Sequence, residues 1–166
     1  MNKACPKDPF TIPKIDQLVN ATFSHPRMSF LDAFQGYHQI PLTLLDQEKI
    51  AFLTLTRNYH YRVMPFGLNN DGSTYQRMVM RMFGPQLGKN VEAYIDDMVV
   101  KSKQVSEHLG DLDEVFSILK KHRLNLKASK CSFGVRSGKF LRYMITYRGI
   151  EVNLDQIRAI HDLHPP

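Results

Sequence analysis

The chain has 166 residues, 43% hydrophobic and 23% charged, an ordinary balance for one globular domain with its own core. Twenty-two Lys and Arg against 16 Asp and Glu leave a net charge of +6, which suits a polyanionic partner. No apolar run approaches the ~18 residues of a membrane span, and no apolar stretch follows a basic start, so neither a membrane anchor nor a secretory signal is expected.

Pro6, Pro9 and Pro13 make the N-terminal stretch extended and irregular, since proline removes a donor and biases the preceding residue away from helix. A short helix is expected over Ile15 to Ala21, with Ile15, Leu18 and Val19 on one face. Met28 to Phe34 reads as a strand with Asp32 at or near its end, and Gly36 permits a close turn after it. Asp46 to Lys49 is a polar connector with a helical turn. Ala51 to Leu55 and Tyr59 to Met64 read as a hairpin turning at Arg57-Asn58. From Tyr75 the apolar residues fall at Tyr75, Met78, Val79, Met82 and Phe83, the spacing of a helix with one buried stripe. Asp71 or Ser73 is placed to cap it, and Gly84-Pro85 to end it.

Val91 to Val100 comes next, two short β-branched and aromatic runs with Asp96-Asp97 as the expected turn. Adjacent carboxylates between apolar strands repel each other and are partly desolvated. Asn-Gly or Asp-Gly would make such a turn at lower cost. The pair therefore implies a cation at the tip, for which a hard divalent ion with oxygen ligands is the natural choice. A second helix follows, capped by Ser106, with Leu109, Leu112, Val115, Phe116 and Leu119 inward and Lys120 to Arg123 at its C-terminal end. Cys131 to Val135 and Lys139 to Thr146 are expected to pair around Ser137-Gly138. A last helix, from Asn153 or Asp155, carries Ile157, Ile160 and Leu163 inward. The two cysteines, Cys5 and Cys131, lie far apart and suit free thiols in a reducing compartment.

Hairpin-paired strands interrupted by two substantial helices describe an α+β fold, an antiparallel sheet with helices packed on one face. Asp32 and Asp96-Asp97 both fall at strand ends, so three carboxylates from two adjacent strands can converge at one edge. Such a cluster would hold two magnesium ions and clamp the attacking and leaving oxygens of a phosphoryl transfer.

Several segments also form an ordered set of motifs. These are Asn2 to Phe10, Phe30-Leu31-Asp32-Ala33-Phe34-Gln35-Gly36-Tyr37-His38-Gln39-Ile40, Met64-Pro65-Phe66-Gly67-Leu68-Asn69-Asn70, Tyr94-Ile95-Asp96-Asp97, Leu126 to Cys131 and Phe140-Leu141-Arg142-Tyr143. On these the chain resembles, over essentially its whole length, the reverse transcriptase domain of gypsy-class LTR retrotransposons, particularly those of plants. The resemblance implies a polymerase palm with partial fingers. Residues 1–27 would be an extended N-terminal segment, 28–146 the palm core with the catalytic aspartates, and 147–166 a C-terminal helix. Its motifs begin after the fingers segment and end before the thumb, connection and RNase H regions, so a palm-centred piece of a polyprotein is expected. The compartment it implies is intracellular: cytoplasm, retrotransposon particle or nucleus.

By resemblance, Asp32, Asp96 and Asp97 bind two Mg2+ ions (Mn2+ being an alternative), with Asp97 less direct, and Lys130 is a general acid for the departing pyrophosphate. Tyr37 excludes a ribose 2′-hydroxyl, Phe66 and Gly67 line the dNTP pocket, and Gln76 touches the template or the same pocket. Phe140, Leu141, Arg142 and Tyr143 grip the primer terminus. The implied partners are an RNA or DNA template with its primer, and a dNTP. Two departures stand out. Asp71 puts a negative charge beside the pocket motif, and Arg142 replaces a glycine usual in the grip motif. They leave a second reading open, a catalytically inactive remnant that folds and binds nucleic acid.

Overall fold

The computed structural model describes residues 6–151. Its centre is an antiparallel sheet of β1 (Arg27–Asp32), β4 (Val91–Tyr94), β5 (Asp97–Ser102) and β6 (Ser132–Val135), in the order β4-β5-β1-β6. Two small sheets accompany it: the pair β2 (Phe52–Leu53) and β3 (Asn58–Tyr59), and the meander β7 (Ser137–Phe140), β8 (Tyr143–Thr146), β9 (Gly149–Glu151). Four helices complete the described fold: α1 (Ile15–Thr22), α2 (Leu44–Lys49), α3 (Asp71–Phe83) and α4 (His108–His122).

Period-2 alternation gives the central sheet two apolar faces. Leu31, Ala93, Met98 and Val100 meet Tyr75, Val79, Met82 and Phe83 of α3 and Leu112, Val115 and Leu119 of α4. On the opposite face Met28, Phe30 and Val99 meet Leu18 and Val19 of α1, Phe140 of β7 and Ile145 of β8. The two long helices thus pack on one face, as expected, and α1 with the β7–β8 hairpin closes the other. Beneath α1, Lys101 and Glu92 form a buried ion pair at 2.7 Å, and Lys101 Nζ also donates to the Ala21 carbonyl near the end of α1. Each buried charge is thereby satisfied.

Helix α1 realises the short helix expected within 1–27. Several boundaries differ from expectation. Asp96-Asp97 is not the hairpin turn: Ile95 and Asp96 are its centre, Ile95 with φ +53°, and Asp97 opens β5. The β2–β3 turn spans Thr54 to Arg57, so Asn58 lies in a strand; the Thr54 hydroxyl donates to the Arg57 carbonyl and fixes the loop locally.

Cys131 to Val135 does not pair with Lys139 to Thr146. β6 joins the main sheet beside β1, while β7 turns into β8 at Leu141-Arg142, with φ +50° and +74°. Two consecutive positive φ values suit the right-handed twist of a tight hairpin. Neither expected helix cap forms. Asn70 precedes α3, and a 3₁₀ turn at 105–107 runs directly into α4, leaving Leu109 76% exposed. The stretch 147–151 holds a turn and strand β9 rather than helix; the helix expected from Asn153 lies outside the described residues.

Candidate active site

Asp32 ends β1 and Asp97 begins β5, and the register pairs them directly across the ladder. Alternation places both on the face of Phe30 and Val99, under the β7–β8 hairpin. Opposed residues on one face stand about 5 Å apart at Cβ, where like charges repel. Asp96, one residue earlier in the turn, is directed to the other face. Its Oδ1 lies against Gly36 and the Tyr75 hydroxyl, where a Cβ on residue 36 would collide with it. Both atoms are buried, and no hydrogen bond of ordinary geometry satisfies either.

The turn is held from three sides. Asp96 O accepts from Ala33 N–H at 3.0 Å, Ile95 N–H donates to Gln76 Oε1 at 2.8 Å, and Gln76 Nε2 donates to Ala93 O at 3.1 Å. Gln76 is 1% exposed. Expected to touch template or nucleotide, it instead spends both ends of its amide on the backbone of the hairpin.

The electrostatics follow from this crowding. Burial, then the charges of Asp32 and Asp97, push the Asp96 carboxyl above its ordinary range, against the opposing influence of the Tyr75 hydroxyl and Lys130. Burial, then Asp32, push up Asp97, again opposed by Lys130. Lys130 Nζ donates to Asp32 Oδ2 at 3.1 Å from a side chain 57% exposed. Lys139 lines the same ≈ 270 Å³ recess with Lys130, Asp32, Asp97 and Phe140. Sequence reading did not single out Lys139, a cation that strand pairing alone brings there.

No group of three His, Cys, Asp or Glu side chains among the described residues is arranged to hold a metal ion. Convergence is therefore partial: Asp32 and Asp97 face each other, while Asp96 turns towards Gly36. The donor chemistry still fits a hard divalent cation. It consists of carboxylate oxygens, two of them on groups whose ionisation is disfavoured by burial and mutual charge, and one buried oxygen without a donor.

Asp96 and Asp97 also line an open cleft of ≈ 680 Å³, whose far wall is Leu141, Arg142 and Tyr143 at the β7–β8 turn. Three of the four expected primer-contacting residues thus face the carboxylates; Phe140 is buried beneath them in the core. On the α3 side, Tyr37 is buried with its ring 4.8 Å from that of Phe66 and 5.4 Å from that of Tyr75. Burial, then Asp71 and Asp96, push its hydroxyl up to about 12, so it is neutral. Phe66 is 60% exposed, and Gly67, at φ +87°, has open space beside it. The Asp71 carboxylate accepts from Gly67 N–H at 3.0 Å and Gly72 N–H at 2.5 Å, which ties the pocket turn to the start of α3.

A sequence profile for "Reverse transcriptase (RNA-dependent DNA polymerase)" matches residues 1–145. The chain is 32% identical over 160 residues to the retrovirus-related Pol polyprotein from transposon 297 of Drosophila melanogaster, covering 96% of this chain and 15% of that one. Against the Pol polyprotein from transposon gypsy of the same fly, identity is 27% over 166 residues, covering 100% and 16%. The chain thus spans about a sixth of these relatives. Among solved structures, a foamy viral protease-reverse transcriptase in complex with RNA/DNA hybrid aligns with TM-score 0.89 and 22% identity, covering 99% of this chain and 22% of that one. A second foamy viral protease-reverse transcriptase, in complex with double-stranded DNA, gives TM-score 0.91 at 22% identity, covering 99% and 29%. At that identity the likeness is one of fold. No helix among the described residues is long and apolar enough to cross a membrane.

Proposed function

The chain belongs to the reverse transcriptase family, and from that premise we propose that it is the palm, with part of the fingers, of an RNA-directed DNA polymerase that extends a primer with deoxynucleotides. The observation that carries this reading is the pairing of Asp32 with Asp97 across β1 and β5, with Asp96 at the adjoining turn, beside an open cleft.

Asp32 and Asp96 would hold two Mg2+ or Mn2+ ions, with Asp97 less directly engaged. When bound, they would stabilise charge on the attacking and leaving oxygens of phosphoryl transfer. The protein groups have separable tasks. Gln76 and Ala33 hold the turn in place, and preorganisation of this kind lowers the cost of binding charge. Lys130, paired with Asp32 yet largely exposed, is available to give a proton to departing pyrophosphate. Tyr37, braced by Phe66 and Tyr75, offers a fixed wall to the sugar. Leu141, Arg142 and Tyr143 line the cleft where a primer end would lie.

The test is primer extension on an RNA template with dNTPs, with and without magnesium. Extension is expected only with the metal, and Asp96→Asn should lower it by about 10²-fold or more, the scale of losing one transition-state stabilising group. Undiminished extension by Asp96→Asn overturns the reading. A second reading, a non-catalytic remnant that folds and binds nucleic acid, is favoured by Arg142. Its φ of +74° is a left-handed conformation that arginine adopts at a cost and glycine freely, and the grip motif that this segment resembles usually has glycine there. Arg142→Gly distinguishes the two: primer–template binding with no extension in either form supports the remnant.

A further inference from the structure

The palm sheet has a second end. Arg27 opens β1 opposite Ser102 of β5, five residues before Asp32 and so about 16 Å from the carboxylates at ~3.3 Å per residue. The β7–β8 hairpin runs the same way, with Leu141-Arg142 over the aspartates and the Ser137–Thr146 pair at its open end. Arg136 precedes this pair and Arg148 follows it. Arg27, Arg136 and Arg148 therefore line one open groove of ≈ 590 Å³, with Tyr147 and a single acid, Glu151.

Among the described residues none of the three arginines is in an ion pair. Arg27 is oriented by one hydrogen bond, from Nη1 to the Gly134 carbonyl at 3.2 Å. Three arginines against the single carboxylate of Glu151 leave the groove with excess positive charge, which a bound polyanion would balance. Tyr147 lies in the same groove with its side chain 57% exposed. Arginine forks match phosphate oxygens, and an exposed ring beside them is a platform for a base.

We propose that this groove binds single-stranded nucleic acid through its sugar-phosphate backbone, with a base on Tyr147, at a site separate from the polymerase cleft. A strand is favoured over an acidic peptide because a peptide would use the arginines and leave the ring idle. The site rests on charge, register and exposure at the far end of the sheet, so it stands or falls independently of catalysis.

The experiment is fluorescence anisotropy of a short labelled single-stranded RNA, and of its DNA equivalent, titrated with the chain. The comparison is wild type against Arg136→Glu/Arg148→Glu and Tyr147→Ala. Both arginines are exposed, so both variants are expected to keep the wild-type thermal midpoint, measured alongside. The double variant is expected to bind single strands at least tenfold more weakly. Its log K against log salt slope should be shallower by about 1.4, two phosphate contacts at about 0.7 each. Tyr147→Ala should weaken binding while leaving the slope unchanged. Single-strand affinity and salt slope unchanged in the folded double variant overturn the proposal. An oligoaspartate that displaces the RNA as well as unlabelled RNA does, charge for charge, overturns it in favour of an acidic protein segment.

Discussion

Gly36 and Asp96 are in van der Waals conflict with any side chain but hydrogen at position 36. The Asp96 carboxylate and the Tyr75 hydroxyl occupy the space a Cβ would need, the hydroxyl at 2.5 Å from it. Tyr75 is wholly buried and one of its ring carbons lies 2.7 Å from the same point, so a methyl there must displace both the Asp96 carboxylate and the Tyr75 ring. Gly36→Ala is expected to cost about 1–3 kcal/mol, the range for overpacking, and to lower primer extension well beyond what lost folded protein explains. Urea unfolding and extension per folded molecule, measured together, check this; a stable variant with full activity contradicts it.

Gln76 gives a second handle on the same turn. Gln76→Leu keeps the volume but leaves Ile95 N–H and Ala93 O without their partners, each worth about 1–3 kcal/mol when buried and unsatisfied. The expected result is lower stability together with weaker metal binding, read by Mn2+ titration. A variant destabilised by that much yet unchanged in metal affinity would show that the turn does not depend on the clamp.

Tyr37 joins the core to the proposed sugar pocket, so its variants should report both. Tyr37→Ala is expected to cost about 3–5 kcal/mol, as for other buried aromatic truncations, and to raise ribonucleotide over deoxyribonucleotide incorporation. Tyr37→Phe keeps the ring packing and should change discrimination little. If Tyr37→Ala extends primers with wild-type discrimination, the residue belongs to the core alone.

His108 predicts how stability responds to acid. Its Nε2 is 2.7 Å from Ser29 Oγ, which accepts from Gly134 N–H, and its Nδ1 is 2.8 Å from Ser102 Oγ, which donates to Asp111. The neutral ring with hydrogen on Nδ1 satisfies every member: Ser29 donates to Nε2, and Nδ1–H donates to Ser102. A proton on Nε2 would leave the Ser29 hydroxyl hydrogen without that acceptor. Burial, then Arg27, hold the imidazole below its ordinary value, against the opposing charge of Asp111. Because the folded value is depressed, the unfolded chain takes up the proton first on acidification. The contribution is thus full above about pH 6.5, the ordinary imidazole value, and declines as pH falls through the folded value. His108→Leu should lower stability at neutral pH but flatten this decline. An unchanged pH profile in the variant would remove His108 as its source.

Local chemistry was legible in the residues themselves. The stripe at Tyr75, Val79, Met82 and Phe83 is buried in α3, the run Met28 to Asp32 is β1, and the carboxylates sit at strand ends as their spacing implied. These depend on period and on residue type, which a sequence displays directly. What failed was turn placement by one residue at Ile95-Asp96 and by several at Leu141-Arg142, neither of which carries a glycine to mark it. Pairing between distant strands was hidden for a different reason. Whether β6 joins β1 or folds back on β7 is decided by burial of Val135 against Phe30 and Met28, contacts between residues about a hundred positions apart. The same non-local packing turns Gln76 into a clamp, brings Lys130 to Asp32 and gathers three arginines at the far end of the sheet. Residue type and order alone determined that carboxylates end two strands; only the folded sheet decided that Asp97 faces Asp32 while Asp96 faces Gly36, because the β4–β5 hairpin closes at Tyr94 and Asp97, which puts Asp97 in the ladder opposite Asp32 and leaves Asp96 in the turn.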